Sequence, residues 1–368
     1  MRLTETDEQQ ELRGSVRRYL ADKAPLSQVQ ARIDSPEGFD RGVWRQMAGQ
    51  LGLQGLAIPE RYGGSGFSAV ELNIVFQEMG RVLYGGPYLP TIAMAAPLLL
   101  ASGDEAAKRD YLPALADGSL LATVAIADLA PESGDGTRAR RSGSGWAISG
   151  GKTVVVAGLE AQLLLVVART PDGLGVFAVH ADSPGVTRVG LPPLDLTRRI
   201  AQITFSKTEG RKIGSAADYG AELSRALDHT LTAVAAEQVG GAEACLDMAV
   251  QYAKTRVQFG RPIGSFQAVK HRCADMLMHV EFARAAAAYA AWAAAEDPSD
   301  APLAAAMAKS YCSDVFFRVA ADNIQTHGGI GFTWEHPAHL YFRRAKSLQL
   351  FLGDPASQRT RVADALQL

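Results

Sequence analysis

Apolar positions along the chain change their spacing twice. Residues 4–22 and 69–83 carry apolar side chains at helical spacing, and 94–102 is a small apolar stretch that reads as a packed helix. Between about 119 and 212 the rhythm shortens. Runs at 121–126, 161–168, 175–180 and 200–205 are β-prone, and turn residues such as Pro171-Asp-Gly173 and Ser183-Pro-Gly185 bound them. From about 217 the helical spacing returns over 221–257, 265–295, 303–326 and 337–351. Asp297-Pro298 stops the second of these because proline lacks the amide a helix interior needs. The pattern predicts an α+β chain of three parts: an N-terminal helical domain (1–118), a small β-barrel domain (119–212) and a C-terminal four-helix bundle (217–368).

Composition adds limits. The 368 residues are 47% hydrophobic and 21% charged, as in an ordinary globular enzyme, and the formal net charge is -2. No basic excess suggests nucleic acid, and no apolar run is long enough to predict a membrane span. The N-terminus lacks the basic start and apolar core of a signal peptide. Cys245, Cys273 and Cys312 are odd in number and far apart, so reduced thiols and a cytoplasmic location are expected.

Two segments carry candidate chemistry. Thr255-Arg-Val-Gln-Phe-Gly-Arg-Pro-Ile-Gly-Ser-Phe-Gln-Ala268 joins two long helices. Arg256 falls where a helix dipole favours a cation, Phe259 offers a flat apolar surface and Gln267 an amide. The junction suits an anionic, aromatic ligand, although a plain helix–helix turn would use the same residues. The second segment is Gln325-Thr-His-Gly-Gly-Ile-Gly-Phe332, whose paired Gly328 and Gly329 let the backbone approach a ligand or simply cap a helix.

Together these segments resemble the acyl-CoA dehydrogenase family. Arg256, Phe259, Gly260, Ile263 and Gln267 match one signature, and Gln325 to Gly329 a second. Pro59-Glu60, Tyr62-Gly-Gly64 and the Trp146–Lys152 hairpin match further segments in order. The resemblance implies dimers or tetramers, an acyl-CoA substrate and FAD. FAD would lie at a subunit interface, where Arg256, Phe259, Gln267, Gln325, His327, Gly328 and Gly329 of this chain would hold the adenosine-pyrophosphate part of the neighbouring subunit's FAD. The family forms a 2,3-enoyl-CoA: a base takes the α-proton while the β-hydride moves to the flavin.

The sequence departs from that pattern where the chemistry occurs. Relatives keep a glutamate base six residues after a lysine; here that lysine is Lys346 and the base position is Leu352. The alternative family position, on an earlier bundle helix, is Thr230, followed by Leu231. Neither side chain is a competent base. Asp354 and Asp228 are the nearest acids. Asp354 reads as a helix N-cap, and Asp228 points about 160° away from Thr230 on a helix. The ring-stacking Trp of relatives is Val154, the hydroxyl that bonds the flavin is Val156, and the family's acidic loop is altered across 127–134.

This selective loss resembles the base-lacking chains of actinobacterial α2β2 acyl-CoA dehydrogenases, some acting on steroid side-chain thioesters. It predicts a homologous partner subunit that supplies the base. Two rivals stand beside it: a self-sufficient dehydrogenase or homo-oligomer with a relocated base, for which Asp354 is the acid to test, and a non-enzymatic CoA-thioester-binding or scaffolding protein. Trp334, Tyr341 and Phe342 read as bundle core. His336 and His339 lack a completing ligand in sequence, so no metal is assigned.

Overall fold

The computed structural model describes residues 4–35, 38–128, 136–143 and 145–368. The N-terminal region holds α1 (Asp7–Lys23), α2 (Leu26–Ala31), α3 (Arg41–Leu51), α4 (Ala69–Arg81), a π-helical segment Leu89–Ala95 that runs into α5 (Ala96–Ala101), and α6 (Glu105–Ala116). Thr6 and Ser68 close capping boxes with Gln9 and Glu71, which fixes where α1 and α4 begin. The periodicity reading omits α3 and α6. The boundary signals of α3 are nonetheless local: Asp40 accepts from the Gly42 and Val43 amides, and Gly52 ends the helix at φ 62°.

The middle region is a closed sheet. Its strands are β1 (Ala122–Ala125), β2 (Arg138–Ser142), β3 (Gly145–Val156), β4 (Leu163–Thr170), β5 (Gly173–His180), β6 (Val186–Leu191) and β7 (Ile200–Ile213). The order β1-β4-β2-β3-β7-β5 closes because β5 also pairs β4, and β6 adds to β7. Inward residues such as Ile148, Leu164, Val166, Phe177 and Ile203 fill the barrel. The predicted Trp146–Lys152 hairpin lies within the single strand β3, which pairs β2 on one side and β7 on the other.

The C-terminal region contains α7 (Gly220–Thr255), a short ladder of β8 (Val257–Gln258) and β9 (Arg261–Pro262), then α8 (Gln267–Glu296), α9 (Ala301–His327), α10 (Ala338–Leu350) and α11 (Pro355–Leu366). Helices α7 to α10 pack as a bundle with α11 laid on α9. Small residues set the closest crossing. A Cβ on Gly240 would fall 1.8 Å from the Gln77 carbonyl oxygen, so α4 and α7 touch backbone to backbone. One apolar cluster runs from α1 and α4 into the bundle, joining the first and third regions into one core.

A buried ion cluster ties the barrel region to the bundle, and its Arg344 also reaches the Leu83 carbonyl of the N-terminal region at 3.4 Å. Arg344 on α10 donates to Asp195 and to Glu237 of α7, and Arg198 donates to both Glu237 oxygens at 2.9 and 3.0 Å. Asp195 also accepts from the Thr197 amide and hydroxyl at 3.0 and 2.6 Å. Two cations face two carboxylates, so the cluster is neutral, as a buried set of charges must be.

Among the described residues, no helix is long and apolar enough to cross a membrane.

Candidate functional site

The two signature segments emerge from one end of the bundle. Tyr252, one turn before the end of α7, stacks on His327 at the end of α9, with ring centroids 4.3 Å apart. Arg272 near the start of α8 reaches Asp322 of α9 at 3.6 Å. The ends of α7 and α9 and the start of α8 therefore form one platform.

From it projects the β8–β9 hairpin. Val257 pairs Pro262 and Gln258 pairs Arg261, leaving Phe259 and Gly260 as the two turn residues. Both have positive φ, 53° and 78°, as the two-residue turn that suits strand twist requires. Glycine adopts this conformation freely, whereas phenylalanine adopts it at a cost. The side chain so placed is 91% exposed. Arg256, the C-cap of α7, is exposed, and no ion pair or side-chain hydrogen bond within the described chain engages its guanidinium. Gln267 opens α8 and is also exposed.

Gln325 is exposed on the last turn of α9. Gly328 ends that helix at φ 65°, ψ -141°, a region essentially confined to glycine. A Cβ on Gly328 or Gly329 would meet no protein atom, so this backbone is bare toward the outside. His327 does not point outward with its neighbours. It is buried, with Nδ1 2.9 Å from the Asn323 carbonyl, and it packs between Tyr252 and His336. Desolvation, then the nearby His327 and His339, push His336 down to about 4, which keeps this histidine stack neutral.

Trp334 corrects one sequence expectation. It lies outside the core at 66% exposure, in the connection before α10, where Arg343 stacks over its ring. Tyr341 is buried and Phe342 packs against the core, as expected.

The base positions look different. Leu352 lies just beyond α10 with φ 55°, another non-glycine residue in the left-handed region. Lys309, fully buried on α9, clamps this turn by donating to the Gln349 and Gly353 carbonyls, both at 3.2 Å. Desolvation pulls Lys309 down to about 8. Thr230 is buried and spends its hydroxyl proton on the Ala93 and Ala226 carbonyls at 2.8 and 3.0 Å. The crevice beside it, lined by Met94, Leu98, Val124 and Leu227 among others, is too narrow to admit a water molecule.

Both nearby acids are engaged elsewhere. Asp228 binds Arg361 of α11 at 2.7 Å. Asp354 caps α11, accepting from the Ser357 amide at 2.8 Å, and this bond, followed by the Ser357 side chain, holds its carboxyl below the ordinary range. Such a carboxylate is a weaker base than a free one.

On the barrel, Val154 has φ 53° and is half exposed, while Val156 is buried. Lys152 donates to Asp128 and to the Ile126 carbonyl, both at 2.7 Å. Burial pulls the Lys152 ammonium down, and the Asp128 carboxylate opposes that shift. The altered loop named from the sequence lies mostly outside the described residues, which include only its first two, Ala127 and Asp128.

Bare glycine backbone, an uncommitted guanidinium, two exposed amides and an exposed aromatic ring form a surface suited to an aromatic diphosphate. The barrel side offers no stacking ring at Val154 and no hydroxyl at Val156. A helical region, a small barrel and a helical bundle with that nucleotide-suited end are the arrangement the sequence resemblance implies.

Known proteins give the same answer. Residues 6–119 match the model of the acyl-CoA dehydrogenase N-terminal domain, and residues 221–367 that of the acyl-CoA dehydrogenase C-terminal domain. The acyl-CoA dehydrogenase IpdE2 of Mycobacterium tuberculosis is 36% identical over 96% of this chain and 95% of its own. The chain belongs to the acyl-CoA dehydrogenase family of FAD-dependent oxidoreductases. Among solved structures, the ChsE4-ChsE5 complex from Mycobacterium tuberculosis matches with a TM-score of 0.91 and 32% identity, covering 100% of this chain and 99% of that one. A Tcur3481-Tcur3483 steroid acyl-CoA dehydrogenase variant matches at 0.88 and 35%, covering 98% of each chain.

Proposed function

We propose that this chain is the non-catalytic, FAD-sharing subunit of a heteromeric acyl-CoA dehydrogenase. The observation that carries this reading is Phe259. The hairpin places an aromatic side chain in a costly backbone conformation and leaves it 91% exposed, beside an uncommitted Arg256. Holding a non-glycine residue in this region costs about 1–3 kcal/mol, and among the described residues the ring's aromatic contact is an edge-on one to Phe266, centroids 6.1 Å apart. A ligand or partner docked on that end of the bundle would repay it.

FAD, when bound, supplies the hydride acceptor for α,β-dehydrogenation of an acyl-CoA. On this reading Arg256 would pair with its pyrophosphate, the Gly328–Gly329 amides would face the same phosphates, and Phe259 would cover the nucleotide. Gln267 and Gln325 would orient it by hydrogen bonds. His327 would act from beneath, bracing the turn rather than touching the cofactor. Leu352 and Thr230 move no proton, so the base and the flavin-ring pocket would come from a homologous partner.

The similarity to two structures described as ChsE4-ChsE5 and Tcur3481-Tcur3483 supports a mixed assembly. The second is described as a steroid enzyme, which makes a steroid acyl-CoA the first substrate to assay.

The test is flavin absorbance of the purified chain, alone and co-produced with a base-containing homologue. We expect a colourless chain alone and a yellow complex with one FAD per unlike pair, lost in Arg256→Ala. A yellow chain that bleaches with acyl-CoA on its own would refute the proposal.

A further inference from the structure

Beyond the Gly328–Gly329 turn the chain goes on exposing large apolar side chains. Ile330, Phe332 and Trp334 alternate along the connection to α10, and Phe332 is 79% exposed. Burying an aromatic side chain removes about 150–250 Å² from water, so these two rings together leave roughly 300 Å² open. Apolar area of that order gathered in one segment marks a site of interaction.

The Trp334 ring is held in place before anything docks on it. Arg343 of α10 lies over its face, 5.7 Å from the centroid, and His339 of the same helix meets it edge-on at 4.6 Å. An anchor fixed in advance loses little freedom on binding, and tryptophan and arginine are enriched among the residues that dominate protein interfaces. The ring sits against α10, whereas the Phe259 hairpin leaves from the end of α7. The stacked rings of Tyr252, His327 and His336 span from one side to the other.

Charge decides what can sit here. Lys254, Arg256, Arg261 and Lys270 are exposed at this end of the bundle and make no ion pair within the described chain. Asp322 is engaged by Arg272, and Glu335 is the exposed acid of the connection itself. A two-fold contact sets the same patch of both subunits face to face, so two copies of this chain would bring these cations together. A diphosphate would answer only part of that charge. We propose that this lip docks an unlike homologous chain, with Phe332 and Trp334 as its apolar anchors and an acidic rim of the partner facing the four cations. The inference rests on the FAD-sharing reading, and it gives the hold on the partner to residues other than those that would hold the nucleotide.

The test is titration of this chain, with FAD in excess, against a homologue that carries glutamate where this chain has Leu352. Docking is followed by biolayer interferometry, and flavin absorbance is read on the complexes formed. Trp334→Ala and Phe332→Ala should each weaken docking at least tenfold, with the melting temperature of the free chain unchanged. At protein concentrations high enough to restore the complex, each variant should still carry one FAD per unlike pair. Added salt should slow association of the wild-type chain. Unchanged docking in both variants would overturn the proposal and leave FAD sharing standing. Loss of flavin at unchanged docking would overturn it too, by giving the rings to the nucleotide. So would a wild-type chain that pairs with itself through Trp334. A wild-type chain that docks no such homologue removes the proposal together with the FAD-sharing reading.

Discussion

Arg344→Met should weaken the fold sharply. The guanidinium is buried and contacts Asp195, Glu237, the Thr197 hydroxyl and the Leu83 carbonyl. Removing one cation turns a neutral cluster into one of net charge -1. Breaking a buried ion pair from one side costs about 3–5 kcal/mol. The lower end applies here because neither carboxylate is stranded. Glu237 keeps Arg198, and Asp195 keeps the Thr197 amide and hydroxyl. The expected loss is therefore about 3 kcal/mol. It should be read from urea unfolding monitored by tryptophan fluorescence, with limited proteolysis of the 192–199 connection, which carries Asp195, Thr197 and Arg198, as a local readout. Arg344→Met combined with Asp195→Asn restores neutrality and should recover part of the loss, as contacting groups are coupled. A single-variant loss below about 1 kcal/mol, or a double variant no better than the single, would refute the view that charge balance holds the barrel and the bundle together.

Other outcomes follow from the same structure. Lys309 has a folded pKa of about 8, below its ordinary value of 10.5, so its contribution is complete above pH 10.5 and is lost as pH falls through 8. Wild type minus Lys309→Met, followed by unfolding across pH 7 to 11, should show that slope, and a flat difference would contradict it. Val154→Gly should raise stability by about 0.5–1 kcal/mol in thermal unfolding, since Val154 is a half-exposed β-branched residue at φ 53°. Gly240→Ala should cost about 2–3 kcal/mol in the same assay, because its Cβ would meet the Gln77 carbonyl at 1.8 Å; a neutral result would mean that α4 and α7 can separate freely.

Family membership and the order of regions were legible in the chain because they rest on local signals. Helical spacing, turn residues and the two signature segments are properties of neighbouring residues, and so is the absence of a carboxylate at 352 and 230. Sequence also separated Asp354 as a cap, since Asp-Pro opening a helix is a local pattern. Trp334 was misread because apolar character alone does not tell an exposed stacking ring from a core ring.

Only tertiary structure decided the rest. The left-handed backbone at Val154, Phe259 and Leu352 has no residue-level signature, because these residue types normally avoid it. Asp195, Arg198, Glu237 and Arg344 are scattered over about 150 positions and meet only when barrel and bundle dock. The closed crevice at Thr230 likewise depends on Met94, Val124 and Leu227 meeting from three separate elements. A chain specifies its elements through contacts a few residues long, while charge compensation and cavities arise between elements brought together from distant parts of the sequence.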